Sequence, residues 1–432
     1  MKETFIKSTI ILMIGGLFTK ILGMVIRIVN TRLIGLEGIS LYMLVFPTLS
    51  LFTGIAQFSM STSISKLVSE ERYNNKNILS SGVFIILIIN LILILSIFLL
   101  APFISNVLLK DKDTYLPILC IMFVLPFEAI SNILRGYVFG KNKMTYHVIS
   151  HIVEQLVRLF LSILIIPLVI DKSLIYAVSF LVLVNMFSEL SSIIILLILI
   201  PKKSVIKKED LIPKKSNIKN ILDISLPNTS TRVIGNIGYF LEPILLTAGM
   251  LKCGLSLNYI STNYGIISGY VFPILLLPSF FTGAISSSII PVISNMYVKN
   301  NYKGIKRKIK QALLFSLLIG IPVTIFYFFF PNIILKLMYN TTIGSNYLKI
   351  LSIPFLLYYI ELPLSAIMQA TNKSKQVMID NLIGIIIKTI LIYLLSILGL
   401  DIYSLIIASS INIIIVTYRH YQNIKKDFTY LR

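Results

Sequence analysis

FIILIINLILILSIFLL, residues 84–100, contains no charged residue, and its only polar side chains are Asn90 and Ser96. LLFSLLIGIPVTIFYFFF, residues 313–330, has the same character. Runs of this kind approach the roughly 20 apolar residues that carry a helix across a bilayer. They are typical of the chain. Of 432 residues 56% are hydrophobic and only 13% are charged, with a mean hydropathy of +0.88. A soluble domain carries about 25% charged residues, so this chain has too few to keep a large surface wet. The alternating ten-residue strands of an outer-membrane barrel are absent. The expected fold is an all-α polytopic membrane protein. About twelve spans are expected, near 6–30, 39–64, 79–106, 115–138, 149–170, 174–200, 221–249, 263–295, 310–336, 346–370, 377–398 and 402–419. No small-residue cleavage site follows the first span, which carries Lys20 and Arg27, so it reads as retained rather than as a signal peptide.

The net charge of +21 raises the question of nucleic acid. Its distribution answers otherwise. Lys202, Lys203, Lys207, Lys208, Lys214, Lys215 and Lys219 share one loop, and Lys299, Lys303, Lys306, Arg307, Lys308 and Lys310 share another. With the N-terminus inside, both loops face the cytoplasm, as do Lys373, Lys375, Arg419, Lys425 and Lys426. The opposite loops hold only Arg32, Lys110, Lys112, Lys172 and Lys252. This is the positive-inside pattern, with both termini cytoplasmic in the cytoplasmic membrane and no nucleic-acid partner. Cys120 and Cys253 are too few for a disulfide framework or metal cluster. No phosphate-binding loop, zinc motif or Ser-His-Asp arrangement appears. No enzyme, cofactor or metal is expected.

The chain also echoes itself. VFPTLSLFTG (45–54) returns as VFPILLLPSFFTG (271–283). YLPILCIMFVLPFEAISNILRGYVFGKNK (115–143) returns as YLKILSIPFLLYYIELPLSAIMQATNKSK (347–375). Both intervals are near half the chain. Two six-helix lobes follow, 1–201 and 221–432, joined by a basic cytoplasmic linker, 202–220. Six spans per lobe is an even number, so the repeats run parallel about a pseudo-twofold axis along the membrane normal, and a substrate cavity is expected between them.

Ionisable groups at bilayer depth are costly and are functional candidates. Gly16, Lys20, Gly23 and Arg27 share one face of helix 1. Glu154 and Arg158 stand four apart on helix 5, which also allows a self-neutralised ion pair. Arg232 and Asn236 lie on one face of helix 7, and Lys388 lies on helix 11. Lys20, Arg27, Glu154, Arg158, Arg232, Asn236 and Lys388 are therefore the expected cavity residues. Their cations would suit an anionic ligand, with Arg suited to phosphate. Glu128, Glu189 and Glu361 read as packed between helices. Pro47, Pro126, Pro273, Pro278, Pro322 and Pro354 are hinge or kink candidates.

TKILGMVIRIVNTRLIGLEGISLYMLVFP (19–47), LRGYVFGKNKMTYHVISHIVEQLVRL (134–159) and YGIISGYVFPILLLPSFFTGAISSSIIPVIS (264–294) resemble the multidrug/oligosaccharidyl-lipid/polysaccharide exporter superfamily, in its sporulation-protein branch related to lipid II flippases. Many members have fourteen helices, against about twelve here. The resemblance implies flipping of an undecaprenyl-pyrophosphate-linked saccharide, a peptidoglycan or polysaccharide precursor. The implied partners are that anionic lipid, membrane lipid and cell-wall synthesis enzymes. Lys20 and Arg27 match the basic first helix of the flippases, with Lys20 where Arg is more usual. Two other readings stand beside it. A cation-coupled multidrug exporter would call for an acidic residue in helix 1, which has none between Glu3 and Glu37. A non-transporting cell-wall or sporulation scaffold would leave the buried charges dispensable.

Overall fold

The computed structural model describes residues 2–72, 74–200 and 212–429. All twelve expected segments are helical. Among the described residues, ten helical stretches are long and apolar enough to cross a membrane, with the kinked stretch Ile14–Ser69 counting as one. The protein is an all-α polytopic membrane protein. Leu91, Leu99 and Ile198 are 70%, 64% and 70% exposed, as expected where hydrocarbon rather than water is the solvent. Of the linker expected at 202–220, residues 202–211 lie outside the described residues, and Lys215 onward is helix rather than loop.

Two compact units divide the chain, residues 1–240 and 241–432. The first begins with α1 (Lys2–Ala56), which Gly35 breaks at φ 68°. A turn with Phe58 and Ser59 in the left-handed region separates it from α2 (Met60–Ser69). Then come α3 (Asn75–Phe103), a π-helical turn (Ile104–Leu109), α4 (Tyr115–Gly140), α5 (Met144–Ile170), α6 (Leu174–Leu199) and α7 (Lys215–Lys252). The end of the first unit falls inside α7. Helix α4 packs on α2, α3 and α6, while α5 packs on α1 and α6. Met60, Ile64, Ile78, Ile86 and Ile133 fill the core between α2, α3 and α4. Gly136 and Gly140 let α4 close on α2. A Cβ on either would stand 2.7 Å from the carbonyl oxygen of Ser61 or Ser65, so this small-xxx-small seam sets how near the backbones come.

The second unit contains α8 (Leu257–Gly265), a π-helical turn (Ile266–Val271), α9 (Phe272–Leu275), α10 (Ser279–Val298), α11 (Tyr302–Phe329), α12 (Pro331–Tyr339), α13 (Ser345–Ala370), α14 (Ser374–Ile397) and α15 (Tyr403–Thr429). Its core gathers Ile289, Ile293, Ile305, Leu364, Ile367 and Met368 around α13.

Spans 2, 8 and 9, expected as single rods, are interrupted at 57–59, 276–278 and Phe330. Of the hinge candidates Pro278 sits at a break, whereas Pro47, Pro126, Pro322 and Pro354 lie inside continuous helices. The two VFP phrases differ accordingly. The first runs unbroken and its turn follows it, while the second is three residues longer and contains its turn. Elsewhere the echo extends to backbone detail. In the α4–α5 turn, Lys141, Asn142 and Lys143 N–H donate to the carbonyls of Tyr137, Phe139 and Val138. In the α13–α14 turn, Thr371, Asn372 and Lys373 donate to Ile367, Gln369 and Met368, each 230 positions on. Asn142 and Asn372 are left-handed, with φ 56° and 63°, and so are Lys110 and Asn340 at the same interval.

Candidate functional site

The first unit encloses two adjoining chambers that share Phe46, Arg158 and Asn185. The smaller, about 160 Å³, is lined by Gly23, Arg27, Asn30 and Thr31 of α1's first span, by Tyr42 and Met43 beyond the Gly35 break, and by Arg158. Two guanidiniums face this chamber, and no carboxylate lines it. Arg27 Nη2 lies 3.9 Å from Met43 Sδ. Gly23 stands four positions before Arg27, one helical turn away, and leaves the wall open beside it.

The larger chamber, about 490 Å³, has three carboxylates, Glu128, Glu154 and Glu189, and two arginines, Arg135 and Arg158. Arg135 on α4 is its hub. Its Nη2 donates to Glu154 Oε2 at 2.7 Å, Glu189 Oε2 at 3.0 Å and Ser192 Oγ at 2.9 Å. Glu154 gives its other oxygen to Arg158 Nη2 at 2.6 Å, and His151 Nδ1 lies 3.1 Å from Oε2. Glu154 thus bridges two arginines. Arg135, Glu154 and Glu189 are each about 95% buried, and charges at that depth persist because each is paired and hydrogen-bonded. At the chamber's edge, Gln57 donates to Glu128 Oε1 and accepts from Arg232 Nη1, both at 2.5 Å.

The expected residues are distributed as follows. Arg27, Glu154 and Arg158 line these chambers. Arg232 and Asn236 project from α7 onto the turn-bearing span, Asn236 donating to the Ser50 carbonyl at 2.8 Å. Lys20 is exposed on α1, outside both linings. Lys388 belongs to the second unit, where Nζ pairs with Glu242 Oε1 at 2.5 Å. Of the cations expected to meet an anion, Arg158 and Lys388 are therefore neutralised by carboxylates. Asp380, eight residues before Lys388 on α14, is fully buried and accepts from Arg419 Nε and Asn423 Nδ2, both at 2.8 Å. Arg135, Gln57, Glu128 and Glu189 were not among the expected site residues. The available signal was the Arg-Gly-Tyr at 135–137, where Gly136 seats α4 on α2 and Arg135 turns inward. Among the described residues no cluster of His, Cys, Asp and Glu is arranged to hold a metal ion.

Comparison with known proteins agrees with this architecture. The model of the polysaccharide biosynthesis protein family matches residues 5–297, and that of MatE matches residues 266–394. Stage V sporulation protein B of Bacillus subtilis (strain 168) is 33% identical over 98% of this chain and 84% of its own length. The lipid II flippase MurJ of the same organism is 24% identical over 90% of this chain and 77% of its own. An inward-facing multidrug resistance MATE family transporter of the MOP superfamily superposes with TM-score 0.73, at 15% identity over 96% of this chain and 95% of that one. An inward closed lipid II flippase MurJ superposes with TM-score 0.72, at 17% identity over 97% and 89%. The chain belongs to the polysaccharide biosynthesis protein family and is a multi-pass membrane protein.

Proposed function

We propose that the protein flips an undecaprenyl-pyrophosphate-linked saccharide, a peptidoglycan or polysaccharide precursor, across the cytoplasmic membrane by alternating access. The observation that carries this reading is the smaller chamber, where the Arg27 guanidinium faces a space with no carboxylate in its lining and Arg158, already held by Glu154, lines the same space. Guanidiniums present planar donor pairs that match phosphate oxygens. The adjoining chamber offers Asn132, Gln155 and Asn185 beside its ion pairs, the mixed donors and acceptors that sugar hydroxyls require. The relative named as a lipid II flippase supports the same class of cargo. Lys20, exposed near the middle of the first span, serves approach of the headgroup in this reading. The proposal includes two six-helix lobes, 1–201 and 221–432, the basic linker 202–220 and cytoplasmic termini. With the interior negative, each negative charge moved outward gains about 2.3 kcal/mol per 100 mV.

The three carboxylates of the larger chamber favour a second reading, a cation-coupled exporter. Reconstituted vesicles separate the two. Arg27→Ala is expected to cut translocation of a fluorescent undecaprenyl-pyrophosphate saccharide at least tenfold, and Glu128→Gln far less. Ion-gradient-driven efflux of an organic cation that depends on Glu128 but not on Arg27 would replace the flippase reading. Normal flipping by Arg27→Ala in a well-inserted protein would remove the site assignment.

A further inference from the structure

A third cavity lies outside this machinery. In the second unit α11 and α15 both pack on α13. Between them runs a groove of about 490 Å³, with Leu364 of α13 at its floor. Leu313, Leu314 and Leu317 form the α11 wall, and Tyr421 and Ile424 line the α15 side. At one end stand Lys306, Lys310 and Lys425, all exposed, and no carboxylate appears in the lining. Lys306, Lys310, Leu313, Leu314 and Leu317 recur at helical spacing, so α11 presents charge first and then hydrocarbon along a single stripe.

We propose that this groove binds an anionic phospholipid of the surrounding bilayer, with its phosphate at the lysines and an acyl chain along the leucines. Two further observations point to a lipid rather than a polypeptide. The flanking surface is itself lipid-facing, with Phe315 and Leu318 55% and 59% exposed. The first nine residues of α11 include Lys303, Lys306, Arg307, Lys308 and Lys310 and no acid, the type of basic cluster beside a membrane helix that attracts anionic headgroups. Tyr421, half exposed at the charged end, sits where an amphipathic ring marks the boundary between headgroup and chain. On the proposed orientation this is the cytoplasmic leaflet. The inference does not depend on the transported cargo.

The protein contains no tryptophan, so one introduced residue is a clean reporter. Leu317→Trp in phosphatidylcholine nanodiscs would be titrated with brominated phosphatidylglycerol or brominated phosphatidylcholine. Leu91→Trp on α3, a 70% exposed position, reports ordinary annular lipid. The expected result is quenching at Leu317→Trp that favours phosphatidylglycerol by about tenfold, with no preference at Leu91→Trp. K306Q/K310Q should abolish that preference and leave quenching by phosphatidylcholine unchanged. Leu314→Trp on the same wall reports if Leu317→Trp does not fold. No preference in the groove, the same preference at both sites, or a preference that survives loss of the lysines would each overturn the proposal. So would displacement by undecaprenyl pyrophosphate much stronger than by unlabelled phosphatidylglycerol, which would assign the groove to the cargo, or displacement by a soluble acidic peptide.

Discussion

The α4–α5 turn of the first unit and the α13–α14 turn of the second share the same hydrogen bonds, yet α4, α5 and α6 use charge in the opposite way to α13, α14 and α15. At the interval of 230 residues, Arg158 answers to Lys388 and Glu189 to Arg419. In the first unit the charges surround a chamber, and Glu154 bridges two arginines along its wall. In the second, Asp380 is fully buried, with Arg419, Asn423 and Gln376 on its two oxygens. Lys388 turns away to Glu242 on α7. Buried charge by itself therefore does not mark a site. A charge cluster that borders open volume can meet a ligand, whereas one closed by its own partners holds helices together.

The sharpest way to break this contrast is to remove the hub. Arg135→Leu strips buried Glu189 of its guanidinium partner and leaves Glu154 to Arg158 and His151, and a loss of about 3–5 kcal/mol is expected. Membrane abundance and thermal unfolding should both collapse. Arg135→Leu combined with Glu189→Leu should recover part of the loss, and no recovery would mean that the pair is not the reason Arg135 matters. Next in size is Arg27→Ala, which under the proposed function removes a charge-assisted contact of about 1.5–3 kcal/mol to the cargo. Transport should drop at least tenfold at normal abundance.

In the second unit, Asp380→Asn keeps the shape and most hydrogen bonds, and Arg419 is exposed enough to hydrate. A cost of about 1.5–3 kcal/mol is expected in unfolding assays, with transport per folded molecule unchanged. A transport defect at full stability would erase the distinction between the units. The smallest effect is expected for Lys20→Ala. This exposed lysine should change flipping by no more than about threefold, in the range of exposed charge contacts. A tenfold loss would return Lys20 to the binding site.

Much of the fold was legible because lipid imposes a simple rule, that a long uncharged run must be helix. The spans followed from that rule, and the half-chain echo from the two repeated phrases. The breaks at 57–59 and 276–278 were less legible. Only the second contains a proline, and the first rests on left-handed Phe58 and Ser59, which no turn-forming composition announces. The candidate site was legible in part. Arg27, Glu154 and Arg158 could be placed by helical spacing, since each shares a face with its neighbours on one helix. Arg135, Gln57, Glu128 and Glu189 could not, because what unites them is contact between different helices. Lys388 misled for the same reason, since Glu242 lies 146 positions away in the chain.

Gln57 sits at the break in its helix and is bonded at once to a carboxylate and a guanidinium. Its carboxamide is a neutral adaptor between ions of opposite sign. Glutamate at this position would repel Glu128 and grip Arg232, and lysine would do the reverse. Either would turn the junction into a salt link whose separation exposes uncompensated charge. The amide thus ties the end of α1 to α4 and α7 through two hydrogen bonds, one given and one received, without adding a charge of its own to the junction.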